Sequence, residues 1–118
     1  MDSRFPDLTN DAKFLLSSMY KIYIERRKDK VDKKDARFFG NIHSIKNDIM
    51  PEWSEADIFD TCGELKRKGY INAVIGSNNY ARIALTTDAI AKLEVSFKDK
   101  VDSVLDYLSK IKSSIPFI

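Results

Sequence analysis

His43 and Cys62 are the only histidine and the only cysteine in 118 residues. A thiolate–imidazole pair built from them could attack a carbonyl, with the imidazole taking the thiol proton. The spacing argues against that use. Cys62 keeps step with Ile58 and Leu65 on the inner stripe of a predicted helix. That is the place of a small core residue, and a buried thiol is inert. His43 stands beside Ile42 on another predicted helix, half exposed. No second His or Cys lies at metal-ligand spacing, so zinc chemistry is not expected. Carboxylates sit at helix starts and on wet faces, where capping accounts for them. No glycine-rich phosphate loop is present. These residues predict neither an enzyme nor a bound cofactor or metal.

Lysine and arginine are the remaining groups that could act. The run from Arg26 to Lys34, RRKDKVDKK, is dense in charge and without helical period. It reads as a solvated helix end and loop, or as a phosphate-contacting loop, because cations displace the counterions condensed on nucleic acid. Asp29 and Asp32 weaken the second reading. A further cluster, Lys66-Arg67-Lys68, closes a predicted helix. A net charge of +2 and a pI of about 8.6 permit nucleic-acid binding without demanding it.

The elements that must position these groups follow from periodicity. Hydrophobic residues at 43% and charged residues at 32% fit one soluble globular domain. The N-terminal segment lacks an apolar h-region, and no apolar run is long enough for a bilayer. With one cysteine no internal disulfide is possible, so a cytoplasmic setting is expected. A first helix is predicted from Thr9-Asn10 to about Glu25-Arg26, with Leu15, Leu16, Met19, Tyr20 and Tyr23 inward. Phe5 and Leu8 are placed to pack back on it. A second helix is predicted from Asp35, with Phe38, Ile42, Ile45 and Ile49 as its stripe, ended by Pro51. Ser54 caps a third helix with Asp57 in an S-x-x-D box, and Gly69 ends it after a basic last turn.

Then YINAVI (Tyr70–Ile75), GSNN (Gly76–Asn79) and YARIAL (Tyr80–Leu85) read as strand, turn and strand. Simple alternation puts Tyr80, Arg82 and Ala84 on one face and Ala81, Ile83 and Leu85 on the other. A long last helix is predicted from Asp88 to Ser113. Ile90, Leu93, Phe97, Val101, Val104, Leu108 and Ile111 form a narrow seam with one stutter between Phe97 and Val101.

The capped third helix, LKRKGYI (Leu65–Ile71), the short hairpin and LTTDA (Leu85–Ala89) resemble the winged-helix superfamily over roughly Thr9 to Glu94. The likeness is to PadR- and MarR-like regulators and to small YjcQ-like proteins of bacteria and phages. Ala89 replaces the usual glycine of the L-T-x-x-G opening. The resemblance implies a mostly α fold with a β-hairpin wing, a winged helix-turn-helix with a long C-terminal helix. Residues 1–87 would form the winged-helix domain and residues 88–118 a dimerisation element. It further implies a dimeric bacterial or phage transcription regulator that binds double-stranded DNA.

On that reading Arg26, Arg27, Lys28, Lys46, Lys66, Arg67, Lys68 and Arg82 contact phosphates, and Asn78, Asn79 and Arg67 contact base edges. Phe97, Val101, Val104, Leu108 and Ile111 pair two copies, unless the helix folds back on Tyr20 and Tyr23. The helical wheel turns Ala56, Phe59, Asp60, Gly63 and Arg67 outward, flanked by Asp57 and Glu64. Three acids there would repel phosphates. The alternative is a winged-helix module that binds a protein partner, with Ala56 and Gly63 as a small-residue patch.

Overall fold

The computed structural model describes residues 4–77, 79–98 and 100–115. Helix α1, Asn10–Lys28, begins where the Thr9 side chain accepts the Ala12 N–H, with Asp11 in its first turn and Arg26, Arg27 and Lys28 in its last. Both ends complement the helix dipole. Leu15, Leu16, Met19 and Tyr20 are fully buried, and so is Ser17 on another side. The helix is covered on several sides because two later helices, Glu55–Arg67 and Val101–Lys112, both pack on it.

The next segment departs from the helix predicted from Asp35. A single turn, α2 (Lys33–Ala36), leads into strand β1 (Phe38–Gly40), and only then does α3 (Ile42–Asp48) begin. Phe38 is exposed and Phe39 is buried, the reverse of the expected stripe. Two local features override the 4-3-4 spacing. Gly40 adopts φ 84, and the Asn41 side chain accepts the Ser44 N–H at 2.9 Å, which starts a new helix. A Cβ at Gly40 would lie 3.0 Å from Ser44 Oγ, so both the backbone conformation and the close approach favour glycine there.

Helix α4, Glu55–Arg67, follows its sequence signals. Ser54 accepts the Asp57 N–H, and Ile58, Cys62 and Leu65 are fully buried. It ends in a Schellman motif: Tyr70 N–H donates to Leu65 C=O, and Gly69 N–H, at φ 82, donates to Lys66 C=O. Strands β2 (Ile71–Gly76) and β3 (Asn79–Leu85) form the hairpin, and β1 adds to its free side in the antiparallel order β1-β3-β2. The hairpin thus leans on a third strand as well as on the helices.

The central strand β3 carries a bulge that simple alternation misses. Val74 pairs with Ala81, but Asn72 pairs with Ala84, so β3 holds one extra residue. Arg82, at φ 54, occupies the bulge. The extra residue lets Tyr80, Ile83 and Leu85 all reach the core, while Ala81 and Arg82 stay exposed.

The single long C-terminal helix is also corrected. It is two helices, α5 (Thr87–Phe97) and α6 (Val101–Lys112), separated by Lys98 in a left-handed conformation. The break falls on the stutter in the seam. From there α6 turns back along α1. Phe97 stacks on Tyr20 at 6.0 Å and meets Tyr107 edge-on at 5.4 Å. The buried side chains of α5 and α6 join those of α1, α4 and the sheet in one core. The whole is a mostly helical winged helix-turn-helix arrangement, with α3 and α4 as the helix pair, β2–β3 as the wing and two C-terminal helices.

Candidate interaction site

Helix α4 and the wing are tied together by rings. Phe59 stacks on Tyr80 at 4.7 Å. A Cβ at Gly63 would sit 3.1 Å from Arg67 Nη1 and 3.4 Å from the Tyr80 hydroxyl. Gly63 is therefore buried under Tyr80 and Arg67, and no open Ala56–Gly63 patch exists. Ala56 stays exposed. Between the first half of α4 and the wing tip lies a crevice of ≈ 440 Å³, lined by Ile42, Glu55, Ala56, Phe59, Ser77 and Asn79. Among the described residues that line it, none is Lys or Arg. His43, at the lip, lies 3.8 Å from the Glu55 carboxylate and 3.1 Å from Asn47.

The other flank of α4 faces the start of α1. Glu64 accepts the Thr9 N–H at 2.8 Å and the Thr9 hydroxyl at 2.7 Å. Lys68 donates to the Asp7 carbonyl at 2.7 Å. Asp11 sits here too. Burial pushes its carboxyl above the usual value, and the charges of Asp57 and Glu64 push it further. So Asp57 and Glu64 belong to the α1 flank, and only Asp60 and Arg67 share the outermost ridge with Ala56.

The residues expected to contact nucleic acid do not form one surface. The Arg26 guanidinium donates to Phe38 C=O at 2.7 Å and Ala36 C=O at 3.2 Å, and lies over the Phe39 ring at 4.9 Å. It clamps β1 to the end of α1. Lys46 donates to Trp53 C=O at 2.5 Å and Pro51 C=O at 3.2 Å, which holds the turn between α3 and α4. Arg27 donates to Val31 C=O at 2.9 Å. Arg27 and Lys28 line a different cleft, beside α2 and α5. Lys66, Arg67, Asn79 and Arg82 are exposed on α4 and the wing. Asn78 lies outside the described residues. No local pattern marks the Phe59–Tyr80 stack, because the two residues are distant in the chain and each fits its own element.

The residues expected to pair two copies divide as well. Phe97, Val104 and Ile111 are buried in the chain's own core, and Val101 and Leu108 are half-buried against it. The expectation that this seam lies in water on a single copy is overturned. The helix turns back on Tyr20 instead.

Cys62 is fully buried, and burial pushes its thiol up to about 12. Among the described residues no group of three or more His, Cys, Asp or Glu could hold a metal ion. Among them no helix is long and apolar enough to cross a membrane. Comparison of the chain with protein-family models, with curated proteins and with solved structures finds no match in any of the three.

Proposed function

We propose that this winged-helix module docks a protein partner in the crevice between the first half of α4 and the wing tip. One observation carries the reading: the crevice between α4 and the wing tip is lined by Glu55 with apolar and uncharged polar side chains, and the exposed cations Lys66, Arg67 and Arg82 lie outside its lining. Val74 and Ile75 on the wing are 59% and 60% exposed, high for β-branched residues on an edge strand. The partner that fits is a basic segment with an apolar side chain to enter beside Phe59 and Ala56.

A second reading keeps duplex DNA as the target. It is favoured by the siting of Asp57 and Glu64 on the α1 flank, which leaves Lys66 and Arg67 less opposed than the sequence suggested. Its weakness is magnitude. Lys66, Arg67 and Arg82 would give about three phosphate contacts and a salt slope of about −2.7. Regulators of strong affinity make about 6–10 such contacts.

One experiment separates the readings. A photo-reactive residue at Ser77 or Ala56, activated in cells, is expected to give a discrete adduct that protease degrades and nuclease does not. A nuclease-sensitive adduct, or salt-dependent retention on duplex DNA, would transfer the proposal to DNA.

Pairing of two copies enters the proposal on a narrower surface. Leu105 is exposed, Leu108 is half-buried, and both adjoin Ile22 and Ile49 around one shallow cleft. Sedimentation at micromolar concentration is expected to show a dimer that Leu105→Asp with Leu108→Asp converts to a 13.6 kDa monomer. A monomer from the outset removes this part.

A further inference from the structure

We infer that the chain binds a small organic anion, with two or more negative charges on a compact apolar body, in a cleft at the base of the sheet. The cleft holds ≈ 330 Å³ between α1, α2 and α5. That is within the range of small-ligand sites, about 300–1,000 Å³. Its floor is apolar, made by the buried Tyr23 and Ile24. Its rim is cationic: Arg27, Lys28 and Lys33 stand around it, with Glu94 as the one acid. A second cleft of ≈ 160 Å³ shares Tyr23, Lys33 and Glu94 and adds Arg37, Ile90 and Thr87. Thr87 opens α5, so the positive end of that helix faces the same place.

A plain explanation covers part of this. Arg27 and Lys28 complement the negative end of the α1 dipole. It does not cover Lys33 or Arg37, which come from α2 and from the turn into β1. Among the described residues no carboxylate stands within ion-pair distance of Lys28, Lys33 or Arg37. Four like charges on three elements line two clefts that share Tyr23 and Lys33, and their repulsion is relieved when an anion enters. The floor excludes water from one side of the ligand, which strengthens each contact. The site is remote from the α4–wing crevice. Leu85 N–H donates to Arg37 C=O at the base of β3, and the wing tip lies at the strand's other end. The inference therefore stands whichever macromolecule the crevice takes.

The test is calorimetry and thermal shift at low salt with tripolyphosphate, citrate and adenosine triphosphate. The expected result is saturable binding and a concentration-dependent rise in Tm. Adenosine triphosphate should bind more tightly than tripolyphosphate, because it adds a body for the floor. Lys33→Glu with Arg37→Glu should weaken binding at least about tenfold. Glu94→Gln removes the opposing charge without disturbing the core, and should strengthen binding about threefold. Lys66→Glu with Arg67→Glu, on α4, should leave it within about twofold. Absence of binding by all three probes at millimolar concentration would overturn the inference. So would equal weakening by the α4 pair, which would mark general attraction rather than a site. Equal affinity for tripolyphosphate and adenosine triphosphate would overturn the apolar body.

Discussion

The two ends of the sheet are opposite in character. At the wing tip the crevice holds Glu55 with polar and apolar neighbours and neither Lys nor Arg. At the base the cleft holds Arg27, Lys28 and Lys33 against one glutamate. A net charge of +2 hides this division. A chain can be mildly basic overall and still leave one crevice beside its wing without a lysine or arginine in the lining. What matters is where each charge is committed. Arg26, Lys46 and Lys68 are held by backbone carbonyls and act as clamps, so their donors are already engaged, as is one of Arg27's, which reaches Val31 C=O.

Substitutions test whether the two ends differ as their charges suggest. The largest effect is expected from Leu65→Ala, because Leu65 is fully buried where α4 joins the core. Loss of its contacts and the cavity left behind should cost about 2–5 kcal/mol in denaturant unfolding. One transition monitored at both ends of the sheet is expected, since α4 and the base share a core. Next, Glu55→Lys with Asp60→Lys should make the tip resemble the base. Duplex affinity at low salt should rise at least about tenfold, and the salt slope should steepen by about 1.8. If affinity does not change, charge at the tip is not what distinguishes the two ends.

Glu64→Ala acts on neither end directly. It strips the Thr9 N–H and hydroxyl of their acceptor at the start of α1. A loss of about 1–2 kcal/mol in stability is expected, with anion binding at the base unchanged. The smallest effect is expected at the wing. Arg82 holds φ 54, a conformation that disfavours a side chain. Arg82→Gly should raise stability by up to about 1 kcal/mol while removing the wing's cation. A fall in Tm would mean that Arg82 makes a contact worth more than the strain.

Much of the fold was legible in the sequence because its signals are local. Thr9 and Ser54 cap helices as their types predict, and Gly69 ends α4 as its position after a basic turn predicts. The errors came where a local pattern had two solutions. Phe38, Ile42, Ile45 and Ile49 fit one helix, but the chain gains a third strand by pairing Phe38 with Ala84. The bulge at Arg82 and the break at Lys98 use left-handed residues that are not glycine, so composition does not mark them. The candidate site was legible in part. The wheel placed Arg67 and Asp60 outward correctly. It could not show that Glu64 reaches Thr9 or that Lys68 reaches Asp7, because those partners lie 55 and 61 residues away. Lys33 stood out only as part of the charged run from Arg26 to Lys34, and Arg37 not at all, for the same reason: their cleft exists only once α1 and α5 are side by side.

The docking of α6 along α1 has a consequence for how the chain folds as it is made. Helix α1 is synthesised before α2 to α5 and is buried in part by α6, which follows them. Until α6 emerges, Tyr20 and its neighbours on that face of α1 lack part of their cover, and contacts of such long sequence separation form late. The winged core can assemble earlier, around α3, α4 and the hairpin. A nascent chain stalled before Val101 is therefore expected to hold a wing but an incomplete first helix. It would be more open to protease near α1 than the finished protein.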